Sequence, residues 1–152
     1  MNVVFVCTGN ICRSPIAEKM LAAEVEAIGL SDRVRVASAG TGHWHIGAPM
    51  DDRAAEVLDG HGYGTTHSAR QVDSEVLAAD LLIALDQGHL RSLERSVPDP
   101  RRVRLLRSFD QEAADDAEIP DPYYGGPDGF SEVYEMITAA LPGLLEHVKR
   151  HA

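Results

Sequence analysis

The chain has 152 residues, 44% of them hydrophobic, with 24 acidic side chains against 14 basic ones and a formal net charge of −10. That length suffices for one domain around a single sizeable core, and the hydrophobic share is ordinary for a soluble fold. The acidic balance argues against nucleic acid or an anionic membrane as the main partner, and the absence of a long apolar run or cleavable signal at the start fits a reducing cytoplasm.

In chain order, the pattern predicts a strand over Asn2 to Val6, a helix over Pro15 to Gly29, and a strand over Arg33 to Ala37. A helix over Asp51 to Gly60, a strand over Leu81 to Leu85 and a helix near Gly88 to Arg95 follow. A strand near Val103 to Leu106 and a last helix from about Asp128 to Arg150 complete the series. Alternation of this kind implies an α/β fold, a single-domain open sheet of four parallel strands flanked by helices. In such sheets ligands bind beyond the carboxyl ends of the strands. The acidic, alanine-rich stretch Gln111 to Glu118 reads as a solvated loop or short helix. Arg101, Arg102, Arg104 and Arg107 form the one dense basic run, read as a solvated face because Val103 and Leu105 alternate with it.

The segment Cys7-Thr8-Gly9-Asn10-Ile11-Cys12-Arg13-Ser14-Pro15 follows the first strand and opens the first helix. A loop wrapped around an anion there would turn backbone N–H groups inward and add the positive end of a helix, which makes a phosphate site. Cys7 places a thiol at its rim, and only the thiolate, favoured by such surroundings, is a useful nucleophile. Gly9 and Asn10 suit backbone conformations that most side chains resist. Ser14 is a good N-cap before Pro15 at the first helical position, and its hydroxyl is placed to donate to the sulfur. Arg13 offers a permanently charged planar fork for two phosphate oxygens.

Cys7 and Cys12 have neither a zinc-ligand spacing nor the two-residue spacing of a thioredoxin-like motif. His147 and His151 lie four apart near the end of the last helix without a third ligand, so no metal is expected. Asp121, between two prolines and before two tyrosines, is the acid with the most suggestive context, although Asp-Pro is also common in turns.

The nine residues from Cys7 to Pro15 resemble the phosphate loop of the low molecular weight protein tyrosine phosphatases, the bacterial ones in particular. Ser38-Ala39-Gly40-Thr41, Trp44, Thr66-His67-Ser68-Ala69-Arg70-Gln71 and Asp121-Pro122-Tyr123-Tyr124 fall where that family carries similar stretches, so the likeness spans nearly the whole chain. The surroundings of Trp44 and the strand from Ala79 to Asp86 look most like actinobacterial members.

The resemblance implies a phosphatase that needs no cofactor. Cys7 would be the nucleophile and Arg13 the phosphate clamp, with Thr8 to Ser14 the loop around them. Asp121 would serve as general acid and then base, and Trp44, Tyr123 and Tyr124 as aromatic walls. Ser38 and His67 would hold Asn10. Cys12 would trap an oxidised Cys7 as a disulfide, with plain packing as the alternative. The partners implied are phosphotyrosine proteins, a bacterial tyrosine kinase or host proteins among them. A cytoplasmic monomer is expected, with nonclassical secretion left open.

Protein arginine phosphatases share this scaffold but typically carry a small Thr where this chain has Ile11, and Ile11 favours an aromatic substrate. Thioredoxin-coupled arsenate reductases need resolving cysteines further on, and none follows Cys12. A catalytically silent phosphotyrosine-binding module stays as the alternative outside enzymes. The glycine-lysine signature of a nucleotide phosphate loop is missing.

Overall fold

A computed structural model describes residues 1–152, the side chain of Pro127 apart. Four strands, β1 (Asn2–Cys7), β2 (Arg35–Gly40), β3 (Leu81–Ala84) and β4 (Val103–Leu105), form one sheet in the order β2-β1-β3-β4, parallel throughout. The helices are α1 (Arg13–Ala27), α2 (Asp52–Gly60), α3 (Ser74–Leu77), α4 (Gln87–Ser96) and α5 (Pro127–His151), with 3₁₀ turns at Pro100–Arg102 and Leu106–Phe109.

β1 sits in the middle because all of it after Asn2 is apolar enough to be covered on both faces. The pleat divides its side chains. Val3 and Phe5 point into a core shared with Ile16, Met20 and Leu21 of α1 and with Phe130, Ile137 and Leu144 of α5. Val4 and Val6 point the other way, toward Leu82, Ala84, Val103, Leu105 and Leu93 of α4. Each fully buried side chain of this size, Phe5 among them, contributes about 1.5–3 kcal/mol of transfer free energy. Cys7 is therefore carried to the carboxyl end of the central strand, beside Gly40 at the end of β2.

Five expectations are corrected. The second strand lies later, at Arg35–Gly40, because Ser38, Ala39 and Gly40 extend the pairing along all of β1. The short α3 went unread, since four residues with only Val76 buried carry no helical period. Ser14 is not the N-cap: α1 begins at Arg13 after Cys12, no side chain caps it, and the Ser14 hydroxyl is engaged by Asn10 and Cys7 instead. Gly9 keeps a negative φ, and Asn10 alone in the loop is left-handed, at φ 57°.

The basic run is not a solvated face, as only Arg101 is fully exposed. Arg102 donates to the carbonyls of Leu77 and Ala79, Arg104 lies 4.4 Å from the centre of the Phe109 ring, and Arg107 donates to the Glu118 carbonyl at 3.1 Å. Half-buried cations are here fastening loops and helix ends.

At the opposite rim of the sheet, Met1, Asp80, Asp99, Arg102 and His151 line a shallow cavity of about 570 Å³, and the Met1 amino group donates to the Arg33 carbonyl at 2.8 Å. No helix among the described residues is long and apolar enough to cross a membrane.

Candidate active site

Beyond the carboxyl end of β1, a cavity of about 350 Å³ is lined by Cys7, Thr8, Gly9, Ile11, Cys12, Arg13, Trp44, His45, Asp121, Tyr123 and Tyr124. Every candidate of the loop, the acid and the aromatic walls is among them except Asn10 and Ser14, which are completely buried behind the loop.

Asn10 organises that hidden side. Its Nδ2 donates to Ser14 Oγ and to Ser38 Oγ, both at 2.9 Å, and its Oδ1 accepts the Arg70 backbone N–H at 2.9 Å. Its carbonyl accepts from His67 Nε2 at 2.6 Å, which requires that nitrogen to carry a proton. Ser38 donates its hydroxyl hydrogen to Glu18 Oε1 at 2.6 Å, so the Ser38 oxygen is the acceptor toward Asn10. Ser14 also accepts from Asn10, which leaves its own hydrogen for Cys7 Sγ, 2.8 Å away. A sulfur without a proton can only accept, and the series Glu18–Ser38–Asn10–Ser14 directs a donor at it. The left-handed Asn10 backbone is thus held by four hydrogen bonds that offset its conformational cost of about 1–2 kcal/mol.

Close approach of β2 explains a glycine. A Cβ on Gly40 would stand 2.7 Å from the Thr8 carbonyl oxygen and 3.1 Å from the Asn10 nitrogen. Gly9 faces the His45 ring, whose Cδ2 would lie 3.0 Å from an added Cβ.

Arg13 is only 3% exposed. Its Nη1 donates to Asp86 Oδ2 and to the Ile119 carbonyl, both at 2.9 Å, so both hydrogens of that nitrogen are taken. Nη2 reaches Thr8 Oγ1 at 3.4 Å and lies 3.7 Å from Asp121 Oδ2. Asp86 also caps α4 by accepting the His89 N–H at 3.0 Å. Burial works against its charge, yet the His89 N–H, the His89 ring and Arg13 together hold its carboxyl below the usual range. His89, buried with Nε2 2.9 Å from Thr8 Oγ1, is pushed down to about 4 by burial, against the pull of Asp86.

Burial, and then the charge of Asp51 and the neighbouring Cys7 and Asp121, push the Cys12 thiol up to about 12. It is a neutral, packed group beside Cys7, and both cysteines are free.

The three candidate wall residues are exposed. Trp44 is 67% accessible and covers Gly42, and Tyr123 meets Tyr124 edge-on with ring centres 4.9 Å apart. Asp121 Oδ1 accepts the Tyr123 N–H at 3.0 Å. Sequence reasoning missed His45 in the lining, Glu18 behind Ser38, Asp86 and His89 around Arg13, and Arg53, which donates to the Tyr123 carbonyl. Asp86 and Asp51 could have been flagged as N-caps, but the pairing of Asp86 with Arg13 and of Arg53 with Tyr123 spans 73 and 70 residues and leaves no local signal. Among the described residues, no group of three or more His, Cys, Asp or Glu could hold a metal. His147 and His151 stack on one another, and His151 Nδ1 bonds the His147 carbonyl.

Residues 2–152 match the family described as low molecular weight phosphotyrosine protein phosphatase. The low molecular weight protein-tyrosine phosphatase A of Mycobacterium tuberculosis is 55% identical over 149 residues, covering 97% of this chain and 91% of its own. The crystal structure of a protein tyrosine phosphatase from Entamoeba histolytica superposes with a TM-score of 0.92 at 30% identity, covering 99% of this chain and 98% of the other. A Drosophila arginine phosphatase does so with a TM-score of 0.89 at 34% identity, covering 98% of each.

Proposed function

The chain belongs to the low molecular weight phosphotyrosine protein phosphatase family, and from that premise we propose that it hydrolyses phosphotyrosine in proteins through a phosphocysteine intermediate. The observation that carries this reading is the Ser14 hydroxyl, aimed by Asn10 at Cys7 Sγ in a cavity that Arg13 and Asp121 also line.

The phosphate sits in the loop against the uncapped first turn of α1, where N–H groups and the helix dipole favour an anion. With Nη1 taken, Arg13 offers Nε and Nη2 to two phosphate oxygens and stabilises the charge that spreads over them in the transition state. The Cys7 thiolate attacks phosphorus in line. An S–P bond forms as the bond to the phenolic oxygen breaks, and the proton of Asp121 passes to that oxygen. Asp121, now a carboxylate, takes a proton from the water that attacks the phosphocysteine. The S–P bond then breaks, phosphate leaves, and Ser14 receives the thiolate again.

Trp44 and Tyr123 with Tyr124 hold the substrate ring at the mouth, and Ile11, 8% exposed on the cavity wall, gives it an apolar contact. That contact favours phosphotyrosine over phosphoarginine. The protein is taken to act as a monomer. Its partners are phosphotyrosine proteins, a bacterial tyrosine kinase or host proteins, met in the cytoplasm or after nonclassical secretion.

The test is metal-free phosphate release from matched phosphotyrosine, phosphoserine and phosphoarginine peptides, with Cys7→Ser alongside. Release from phosphotyrosine alone, abolished in the variant, is expected. Preference for phosphoarginine would transfer the assignment to that substrate, and phosphopeptide binding without release would leave a binding module.

A further inference from the structure

We infer that Arg53 is a positioning residue for the acid, fastening the segment that carries Asp121 to the phosphate loop; the inference rests on the reading above. The starting point is Asp51, which precedes α2 and donates its backbone N–H to the Ile11 carbonyl at 2.8 Å. The beginning of α2 is thereby pinned to the phosphate loop. The Asp51 carboxylate accepts the Arg53 backbone N–H at 2.8 Å and grips its guanidinium side-on, Nε to Oδ1 and Nη2 to Oδ2, each at 3.0 Å.

Held in that orientation, the guanidinium reaches a segment 70 residues further along. Nη2 donates to the Tyr123 carbonyl at 3.0 Å and Nη1 to the Gly125 carbonyl at 3.3 Å. The Phe130 ring centre lies 4.6 Å from its central carbon and the Tyr123 ring centre 5.6 Å, so aromatic faces limit its swing. Four of its five N–H groups are engaged, in a plane that a lysine ammonium cannot reproduce.

The link to catalysis is Tyr123. Arg53 holds its carbonyl while its N–H holds Asp121 Oδ1. The Asp121 side chain is 45% exposed and, among the described residues, its one ion-pair contact is with Arg13 at 3.7 Å, so its place in the cavity it shares with Cys7 depends on how that segment is anchored. Ile11, Asp51, Arg53, Tyr123 and Asp121 form one hydrogen-bonded series between the phosphate loop and the acid.

The experiment measures kcat/KM on aryl phosphates of graded phenol acidity for Arg53→Gln and Arg53→Lys, alone and combined with Asp121→Asn. An acid displaced by a fraction of an ångström loses most where the departing oxygen needs a proton. Arg53→Gln is expected to lose about 10- to 100-fold on phenyl phosphate and under about 3-fold on esters of strongly acidic phenols. In the Asp121→Asn background the same change should cost under about 2-fold, because the group it acts through is already gone. Equal losses across all phenols, or a full multiplicative loss in the double variant, would overturn the inference. Should Arg53→Gln fail to fold by near-ultraviolet circular dichroism, Arg53→Lys keeps a cation against Asp51 and is judged by the same two criteria. A wild-type chain that turns over none of these esters would remove the phosphatase reading itself.

Discussion

Replacing Gly40 by alanine tests how tightly the phosphate loop is wedged between its neighbours. The new Cβ would lie 2.7 Å from the Thr8 carbonyl oxygen, 3.1 Å from the Asn10 nitrogen and 3.2 Å from Asn10 Cβ. Gly40 cannot retreat: its N–H is bonded to the Arg70 carbonyl and its own carbonyl accepts from Val72, both at 2.8 Å. Reaching an ordinary contact of about 3.4 Å therefore means moving the loop by about 0.7 Å. Overpacking of this kind costs about 1–3 kcal/mol, which for a domain of this size lowers Tm by about 2–12 °C. A misplacement approaching 1 Å at reacting groups costs on the order of 100-fold, so kcat/KM on a phosphotyrosine peptide should fall by about 10- to 100-fold. Gly42→Ala is the comparison. Its Cβ would fall even closer to a neighbour, 1.8 Å from Trp44 Cζ3, but that ring is exposed and free to swing. Gly42→Ala should keep a parental kcat and raise KM. Steady-state kinetics and thermal unfolding on the two variants decide the matter. A Gly40→Ala protein with parental kcat/KM and Tm, or one less impaired than Gly42→Ala, would refute the wedge.

The depressed His89 sets an acid limit on stability. Between its ordinary 6.5 and about 4, the unfolded chain takes up a proton that the folded one refuses. Stability therefore falls as pH falls, by about 1.4 kcal/mol per pH unit and roughly 3 kcal/mol over the window, with no slope from this group above 6.5. His89→Gln should flatten urea midpoints across that window; His147, also depressed by burial, and then the carboxyls of Asp86 and Asp51 at lower pH, supply the slope that is left. An unchanged slope would show that His89 protonates as readily folded as unfolded. Asn10→Ala should lose about 2–4 kcal/mol from stranded buried partners and a left-handed backbone without its hydrogen bonds, and Asn10→Gly should recover about 1 kcal/mol of that while turnover stays low in both. Equal stability of the two variants, by denaturant unfolding, would mean that φ carries no cost there.

The central strand and the loop after it were legible because both carry local signals: a continuous apolar run, then a residue set whose chemistry converges on one anion. β2 was displaced because Ser38, Ala39 and Gly40 are small and read as loop, although small residues are what the neighbouring phosphate loop requires. Trp44 and Tyr123 were reached through the family resemblance, and both line the cavity. Arg53, Asp86, His89 and Glu18 were not, since each matters through a partner 20 to 81 residues away. Surface placement is the ordinary expectation for arginine, and Arg102, Arg104 and Arg107 depart from it because carbonyls and an aromatic face at the turns needed covering.

Met1 and His151 share the shallow cavity at the rim opposite the phosphate loop. Residues 1 and 151 thus lie together on the face turned away from the mouth, close enough for a circularly permuted variant of residues 1–152 to join them. A short bridge from residue 152 to residue 1, with a new opening at the exposed turn between Ser31 and Asp32, would leave every strand intact. For the same reason a surface tether attached at residue 1 or residue 151 holds these 152 residues by their base and presents the cavity outward.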